Sequence, residues 1–200
     1  MTVVVSWLAR EQAYALIDTP TTWPKSNLRP ALRVWIDALV DSYLTRTHKE
    51  HLIGLRSTCV FAWLIEPEAS EIPKGRIAVA LNVEPTLAYT ASKSALGPLL
   101  GPGATELLLH RLCDQGERRD ILEEELPFLE SPSYRMYTSE GSKQLDLLSA
   151  TTLQALVSAV EPEISEYVTS IERLHDSMSS IKNDTEVLVT LQSLISARLA

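Results

Sequence analysis

The feature that most constrains this chain is a seven-residue repeat of apolar side chains in its last quarter. Apolar residues at this spacing lie along one stripe of an α-helix. The repeat predicts a coiled-coil-like helix over residues 161–200 or, if the chain turns near Asn183, a helical hairpin. Two columns three residues apart carry the repeat, and their principal members are Ile164, Tyr167, Ile171, Leu174, Met178, Ile181, Leu188 and Ile195.

A stripe of this length is typical of a helix that packs against another helix. The repeat continues for about five heptads, more than the three to four that indicate a coiled coil. We therefore expect residues 151–200 to form an oligomerisation or partner-binding region, and residues 1–150 to form a globular α+β body. Packing of the same stripe onto its own domain is the alternative, because amphipathic helices usually serve the local core.

The rest of the chain is predicted to be mostly helical. The seven glycines are few for 200 residues, which favours helices joined by proline-marked breaks. In the helix that begins near Pro30, the apolar stripe leaves Arg33, Asp37 and Asp41 outside it. Apolar periodicity and breaker residues predict helices over Trp7–Ile17, from Pro30, from Pro85, over Ala104–Gln115 and over Leu145–Val160.

Two short segments favour strands. Residues 55–65 include Val60, Phe61 and Trp63, and residues 76–83 read RIAVALNV. Both are short and apolar, and a polar stretch lies between them. We expect them to form a small antiparallel β element packed with helices, so the predicted fold class is α+β.

Composition limits the classes of function and the compartment. The net charge is −8, and no basic patch indicates nucleic-acid binding. Two cysteines do not make a disulfide framework, and no apolar run reaches the length of a membrane span. No signal peptide is recognisable, so we expect an intracellular protein, cytoplasmic or nuclear, that is not secreted.

One segment bears on catalysis. Tyr89 and Lys93 stand four residues apart, and the segment from Gly75 to Leu96 resembles the Tyr-x-x-x-Lys region of the short-chain dehydrogenases/reductases with its preceding strand. The resemblance implies that Tyr89 would exchange a proton with a substrate oxygen. Lys93 would activate the tyrosine and hold the nicotinamide ribose. Helical spacing would direct both side chains to one site.

Two further pairs carry metal-ligand chemistry. His48 and His51 are three residues apart, as are His110 and Cys113. Residues at that spacing share one face of a helix, and four nitrogen and sulfur ligands suit tetrahedral zinc. If the fold brought the pairs together, they would form a zinc site. The alternative is two surface histidines at a helix end and a buried Cys113.

No catalytic signature extends along the chain, and no cofactor is expected. We therefore expect a non-enzymatic structural or scaffold protein that self-associates or docks into a larger complex through its C-terminal helices. Its partners would be proteins, either further copies of this chain or the other subunits of a hetero-complex. A self-assembling protein of the viral matrix or coat type is one alternative. An enzyme built around Tyr89 and Lys93 is the other.

Overall fold

The computed structural model describes residues 1–19, 28–64, 74–116, 119–126, 134–137, 140–182 and 184–200. Helices and antiparallel sheets both occur, which confirms the α+β class. The strands are β1 Thr2–Ala9, β2 Leu28–Pro30, β3 Val60–Ala62, β4 Arg76–Val83, β5 Tyr89–Ser92, β6 Arg135–Tyr137, β7 Glu172–Arg173, β8 Thr185–Val189 and β9 Leu194–Leu199. The α-helices are α1 Arg10–Asp18, α2 Ala31–Arg46, α3 Leu55–Thr58, α4 Gly97–Leu100, α5 Ala104–Asp114, α6 Arg119–Glu125, α7 Gly141–Leu145, α8 Ala150–Thr169 and α9 Leu174–Ser177.

The chain forms two compact units, and both are discontinuous in sequence. The sheet unit comprises residues 1–26, 58–93 and 170–200, and the helical unit comprises residues 27–57 and 94–169. This division differs from the predicted boundary near residue 150. Helix α8 belongs to the helical unit, whereas the residues that follow it belong to the sheet unit.

The strands of the sheet unit form one antiparallel series. One sheet has the order β1-β4-β9, and the other has the order β3-β8-β5-β7. A bridge between Val5 and Trp63 joins them, with N–O distances of 2.8 Å in both directions. The strand order is therefore β9-β4-β1-β3-β8-β5-β7, with β9 at one end and β7 at the other.

The core of the sheet unit follows from the alternation of side chains along its strands. In β1, Val4, Ser6 and Leu8 face inward, and the Ser6 hydroxyl donates a hydrogen bond of 2.7 Å to the Phe61 carbonyl. The apolar core residues come from both sheets, from α1 and α9, and from Ala88 just before β5. They are Val4, Leu8, Ala13, Leu16, Val60, Ala62, Val79, Leu81, Val83, Ala88, Leu174, Val187 and Val189.

The helical unit is built around α2, α5 and α8, with α8 packed against both of the others. Each of the three helices buries a continuous apolar face, represented by Trp35, Leu112 and Tyr167. The short strands β2 and β6 pair antiparallel beside them. Among the described residues, no helix is long and apolar enough to cross a membrane.

Two predicted helices are confirmed, and two predictions need correction. Helix α2 begins one residue after Pro30, and α5 ends one residue before Gln115. The helix predicted from Trp7 begins only at Arg10, because the residues before it complete β1. The helix predicted from Pro85 is wrong, since Tyr89–Ser92 form the strand β5. Pairing with β7 and β8 outweighs the local helical pattern there.

The two predicted strand segments contain strands, but they do not pair with each other. Residues 76–83 form β4, which pairs with β1 and β9. Of residues 55–65, only Val60–Ala62 form a strand, which pairs with β8, while Leu55–Thr58 are helical. Residue 65 lies outside the described part of the chain. Apolar alternation specifies a strand face but contains no information about which strand lies next to it.

The coiled-coil-like helix or helical hairpin predicted over residues 161–200 is not confirmed. Helix α8 continues through Pro162 to Thr169, and beyond it lie β7, the single turn α9, β8 and β9. Asn183, the predicted turn, lies outside the described residues. Thr185–Val189 reads TEVLV, whose β-branched residues favour strand, and a column spaced by seven residues is compatible with either element.

Candidate functional sites

The structure does not bring Tyr89 and Lys93 into the arrangement that the dehydrogenase resemblance requires. Tyr89 begins strand β5 and Lys93 follows its end, so the helical spacing is absent. The guanidinium carbon of Arg173 lies 4.1 Å from the centroid of the Tyr89 ring. The ammonium of Lys93 lies 5.9 Å from the centroid of the Trp63 ring. Tyr89 and Lys93 thus each form a cation–π contact with a different partner, Arg173 and Trp63 respectively.

The histidine and cysteine pairs do not form a metal site. His48 Nδ1 lies 3.6 Å from a Glu50 carboxylate oxygen, and His110 Nδ1 lies 2.9 Å from an Asp114 carboxylate oxygen. Cys113 is exposed. Within the described ranges, no three His, Cys, Asp or Glu side chains gather in an arrangement that could hold a metal ion.

The predicted interface stripe is divided between two cores and the surface. Ile164 and Tyr167 are buried in the helical unit, whereas Leu174 and Leu188 are buried in the sheet unit. Ile171 and Ile181 are partly buried and less exposed than the remaining two residues. Met178 and Ile195 remain about half exposed, at 49% and 50%. The eight residues therefore do not form one continuous surface, although Ile195 lies on the exposed strand β9.

A buried charge network in the helical unit was missed by sequence reasoning. The Arg56 Nε donates to Asp37 Oδ1 at 2.6 Å, and both side chains are at most 4% exposed. Arg56 Nη1 donates to the Tyr167 hydroxyl at 3.2 Å, and its guanidinium carbon lies 5.1 Å from the centroid of that ring. Asp37 was assigned to the solvent face of α2, and nothing local in the sequence connects it with a residue nineteen positions away.

Asp41 extends this network by one helical turn. Its Oδ1 accepts a 2.9 Å hydrogen bond from the backbone N–H of Gly54, whose φ of +75° favours glycine. Burial raises the pKa of Asp41, the Gly54 hydrogen bond lowers it, and the nearby Asp37 carboxylate raises it further; the net direction is upward. Asp37, Asp41, Arg56 and Tyr167 are not among the residues that line the two pockets described in the helical unit.

A groove of about 480 Å³ lies elsewhere on the helical unit. It is lined by residues 30–33 at the start of α2 and by residues 100–105 around the start of α5. Neither helix has a side-chain cap at that end. Arg33 and Thr105 are the lining residues with polar side chains, and Arg33 is the one titratable residue among those described at the groove.

The sheet unit exposes a strand edge at β9. One edge of this six-residue strand pairs with β4, and no described strand pairs with the other edge. Ile195 and Leu199 are 50% and 53% exposed. The register shifts between Asn82 and Val83, which leaves Ile195 as an extra residue in a β-bulge at the start of the strand. The remainder of β9 is regular.

The hydrogen-bond pattern shows which backbone groups face the open edge. The N–H of Ala200 donates to the Ala78 carbonyl at 3.2 Å, so this pair is hydrogen-bonded within the ladder. Hydrogen-bonded pairs alternate along an antiparallel ladder, so Arg198 also directs its backbone groups to β4. Ala197 and Leu199 therefore direct theirs away from β4, toward the open edge.

The face of the sheet beside this edge contains apolar side chains, a polar pair and the exposed cation Arg198. Ala80 and Asn82 of β4 lie opposite Arg198 and Ser196, and Val3 and Val5 continue the same rows on β1. Arg198 is exposed and makes no ion pair within the part of the chain that the structure describes.

An aromatic stack occupies the same face further along β1. The rings of Trp7 and Trp63 stack at a centroid distance of 4.7 Å and an interplanar angle of 28°, next to the Lys93 ammonium described above.

Comparison with known protein families, with curated protein sequences and with solved structures finds no match to this chain.

Proposed function

We propose that this chain is a non-enzymatic interaction protein, a scaffold or complex subunit, that binds a protein partner by adding the partner's strand to the open edge of β9. The observation that carries the proposal is the set of outward-facing backbone groups at Ala197 and Leu199, which no strand in the described part of the chain pairs, beside the exposed side chains of Ile195 and Leu199. Such an edge is a template for pairing with another chain, and β-strand addition is a common mode of peptide recognition.

The opposite end of the strand series supports the choice of β9. Strand β7 contains only Glu172 and Arg173, and both are charged. Short, charged edges are the means by which proteins prevent unwanted pairing. Strand β9 is three times as long, with Arg198 as its one charged residue. The C-terminal region thus remains the proposed contact region, but a strand edge replaces the predicted helical seam.

The test is a variant that blocks the open edge and leaves the ladder with β4 intact. Leu199→Pro removes an N–H that faces away from β4, so the fold should be retained. Leu199→Val is the matched control, because it keeps the N–H and suits a strand. The probe is a display library of random heptapeptides selected on the wild-type chain.

We expect selected peptides to bind the Leu199→Val variant about as well as the wild type and to bind Leu199→Pro more weakly. One lost hydrogen bond contributes about 0.5–1.5 kcal/mol, or roughly two- to tenfold in affinity. Amide exchange should also slow at Ala197 and Leu199 when a peptide binds. Peptides that bind Leu199→Pro as tightly as the wild type, without protecting these amides, would refute the proposal.

A further inference from the structure

We infer that the partner segment accepted by β9 is an extended peptide with alternating apolar and acidic residues, which places a carboxylate opposite Arg198. This inference rests on the proposed function and specifies the chemistry of the partner. A second copy of β9 is the simplest alternative occupant of the edge. Self-pairing of β9 and pairing with a foreign strand differ in the registers that they allow.

When two copies of β9 pair with each other, the register that satisfies all of their outward-facing backbone groups is unfavourable. Antiparallel pairing of two β9 strands satisfies the outward groups on both copies when Ala197 of one lies opposite Leu199 of the other. That register places the Arg198 side chains of the two copies directly opposite each other. Like charges in this position destabilise a sheet, because the side chains of a non-hydrogen-bonded pair lie close together.

Shifting the register does not rescue self-pairing. The neighbouring symmetric register places Ala197 opposite Ala197 and therefore Leu199 opposite Ile195. Ile195 is the extra residue of the bulge, so it has no regular position in a ladder. Self-pairing thus either brings two cations together or loses hydrogen bonds at both ends of the strand, and a foreign strand avoids both costs.

The charge of the site selects the kind of foreign strand. Strands β1, β4 and β9 contain no acidic residue. Arg198 therefore lies at the edge of a sheet face without a carboxylate on any of the three strands that build this face. An opposite charge across the strand pair stabilises the pairing, whereas a lysine or arginine in that position destabilises it.

The residues on either side of Arg198 determine the flanking positions of the peptide. Ala197 lies opposite Leu81, and Leu199 lies opposite Val79, so both belong to the row that faces the apolar core. Their cross-strand neighbours on an added strand would continue that row and would be apolar. The favoured pattern is therefore an apolar residue, an acidic residue and a second apolar residue.

The experiment uses three capped five-residue peptides that differ at one position: Thr-Val-Glu-Val-Thr, Thr-Val-Gln-Val-Thr and Thr-Val-Lys-Val-Thr. Each is titrated into the full chain, and amide chemical shifts and exchange are followed at Ala197 and Leu199. The measurements are made at about 0.15 M salt, which screens the net charge of −8 beyond roughly 8 Å.

We expect the glutamate peptide to bind up to about fivefold more tightly than the glutamine peptide, and the lysine peptide to bind most weakly. Arg198→Glu should reverse this order, and Arg198→Gln should remove it. The Arg198 side chain is exposed, so all three forms of the protein should have the same dispersed spectrum.

Each result distinguishes the inference from the proposed function. If all three peptides protect Ala197 and Leu199 with equal affinity, strand addition stands and the acidic preference is refuted. If none protects these amides at any concentration, both fail. If the wild-type chain dimerises by light scattering and Leu199→Pro does not, the occupant is a second copy and the inference is overturned, while strand addition again stands.

Discussion

At the scale of single residues, the ion pair between Asp37 and Arg56 lies buried in the interior of the helical unit. Removing one partner leaves the other charge buried without compensation, whereas replacing both by apolar residues removes the desolvation cost as well. The hydroxyl of Tyr167 gives the guanidinium a second acceptor, since it accepts a hydrogen bond from Arg56 Nη1 at 3.2 Å. The network therefore specifies how α2, α3 and α8 pack together.

Arg56→Met and Asp37→Leu should each lower the free energy of unfolding by about 3–5 kcal/mol. The double variant should lose much less than the sum of the two, because neither charge remains. Urea unfolding of the four proteins measures the coupling. Additive losses would show that the ion pair does not couple the two positions.

Asp41 makes the stability of the helical unit depend on pH. Its pKa in the folded chain is raised above the usual 3.8, mainly by burial, so the folded state binds the proton more tightly than the unfolded state does. Stability from this group is therefore highest below 3.8, falls as pH rises from 3.8 through the raised pKa, and stays lower above it.

Asp41→Asn should consequently be neutral or stabilising at pH 7, because asparagine retains the acceptor for the Gly54 N–H without the buried charge. The advantage over the wild type should disappear below about pH 4. Thermal unfolding between pH 3 and pH 8 provides the comparison. A variant that is less stable than the wild type at neutral pH would contradict this account.

At the scale of elements, α8 is the helix whose course differs most from the expectation. The predicted helix ends at Val160, yet α8 continues through Pro162 to Thr169. Pro162 has no N–H to donate to the Ser158 carbonyl four residues earlier, and its ring crowds the same turn. Arg111 of α5 contacts this turn at the next carbonyl, where its Nη1 donates to Ala159 O at 2.8 Å and its Nη2 donates to Glu163 at 2.7 Å.

This contact predicts a coupling between Pro162 and Arg111. Pro162→Ala should stabilise the chain by about 1–3 kcal/mol, because alanine restores the helical donor. Arg111→Met should destabilise it by about 1–3 kcal/mol, since it leaves the mostly buried Glu163 without its cation. The cost of Arg111→Met should be smaller in the Pro162→Ala background, as determined by chemical denaturation of the four proteins. Equal costs in both backgrounds would mean that Arg111 does not compensate for the proline.

At the scale of the whole molecule, neither unit is a continuous stretch of chain. The segment after residue 169 supplies β8, which lies between β3 and β5, and β9, which pairs with the edge of β4. A protein that ends near residue 150 therefore lacks the central strand of one sheet and an edge strand of the other. It also lacks α8, which packs against both α2 and α5 in the helical unit.

A fragment of residues 1–150 should accordingly be unfolded when it is isolated, and so should residues 151–200. Mixing the two should restore a cooperative thermal transition, because the missing strands and helix then return to their places. Circular dichroism and amide dispersion of each fragment and of the mixture test this expectation. A folded, monomeric 1–150 fragment would support the boundary that the sequence suggests instead.

The sequence by itself determined the elements whose faces are strongly patterned. The apolar stripe of α2, the glycine and proline residues before α5 and the apolar run of β4 each predict their own conformation, since local periodicity and helix-breaking residues act over a few positions. The α+β class followed from the same local signals. The local signals did not predict that Leu188 and Ile195 lie on two separate strands, β8 and β9. Apolar residues repeated every seven positions fit one helix as readily as separate strands.

The tertiary structure alone decided which elements are neighbours. The pairing of β4 with β1 and β9, the burial of Asp37 beside Arg56 and the open edge at Leu199 all depend on contacts between residues far apart in the chain. Hydrophobicity drives burial without direction, and strand pairing uses backbone groups that every residue has except proline. Local sequence therefore specifies what each segment buries, but the final packing specifies against which partner it is buried.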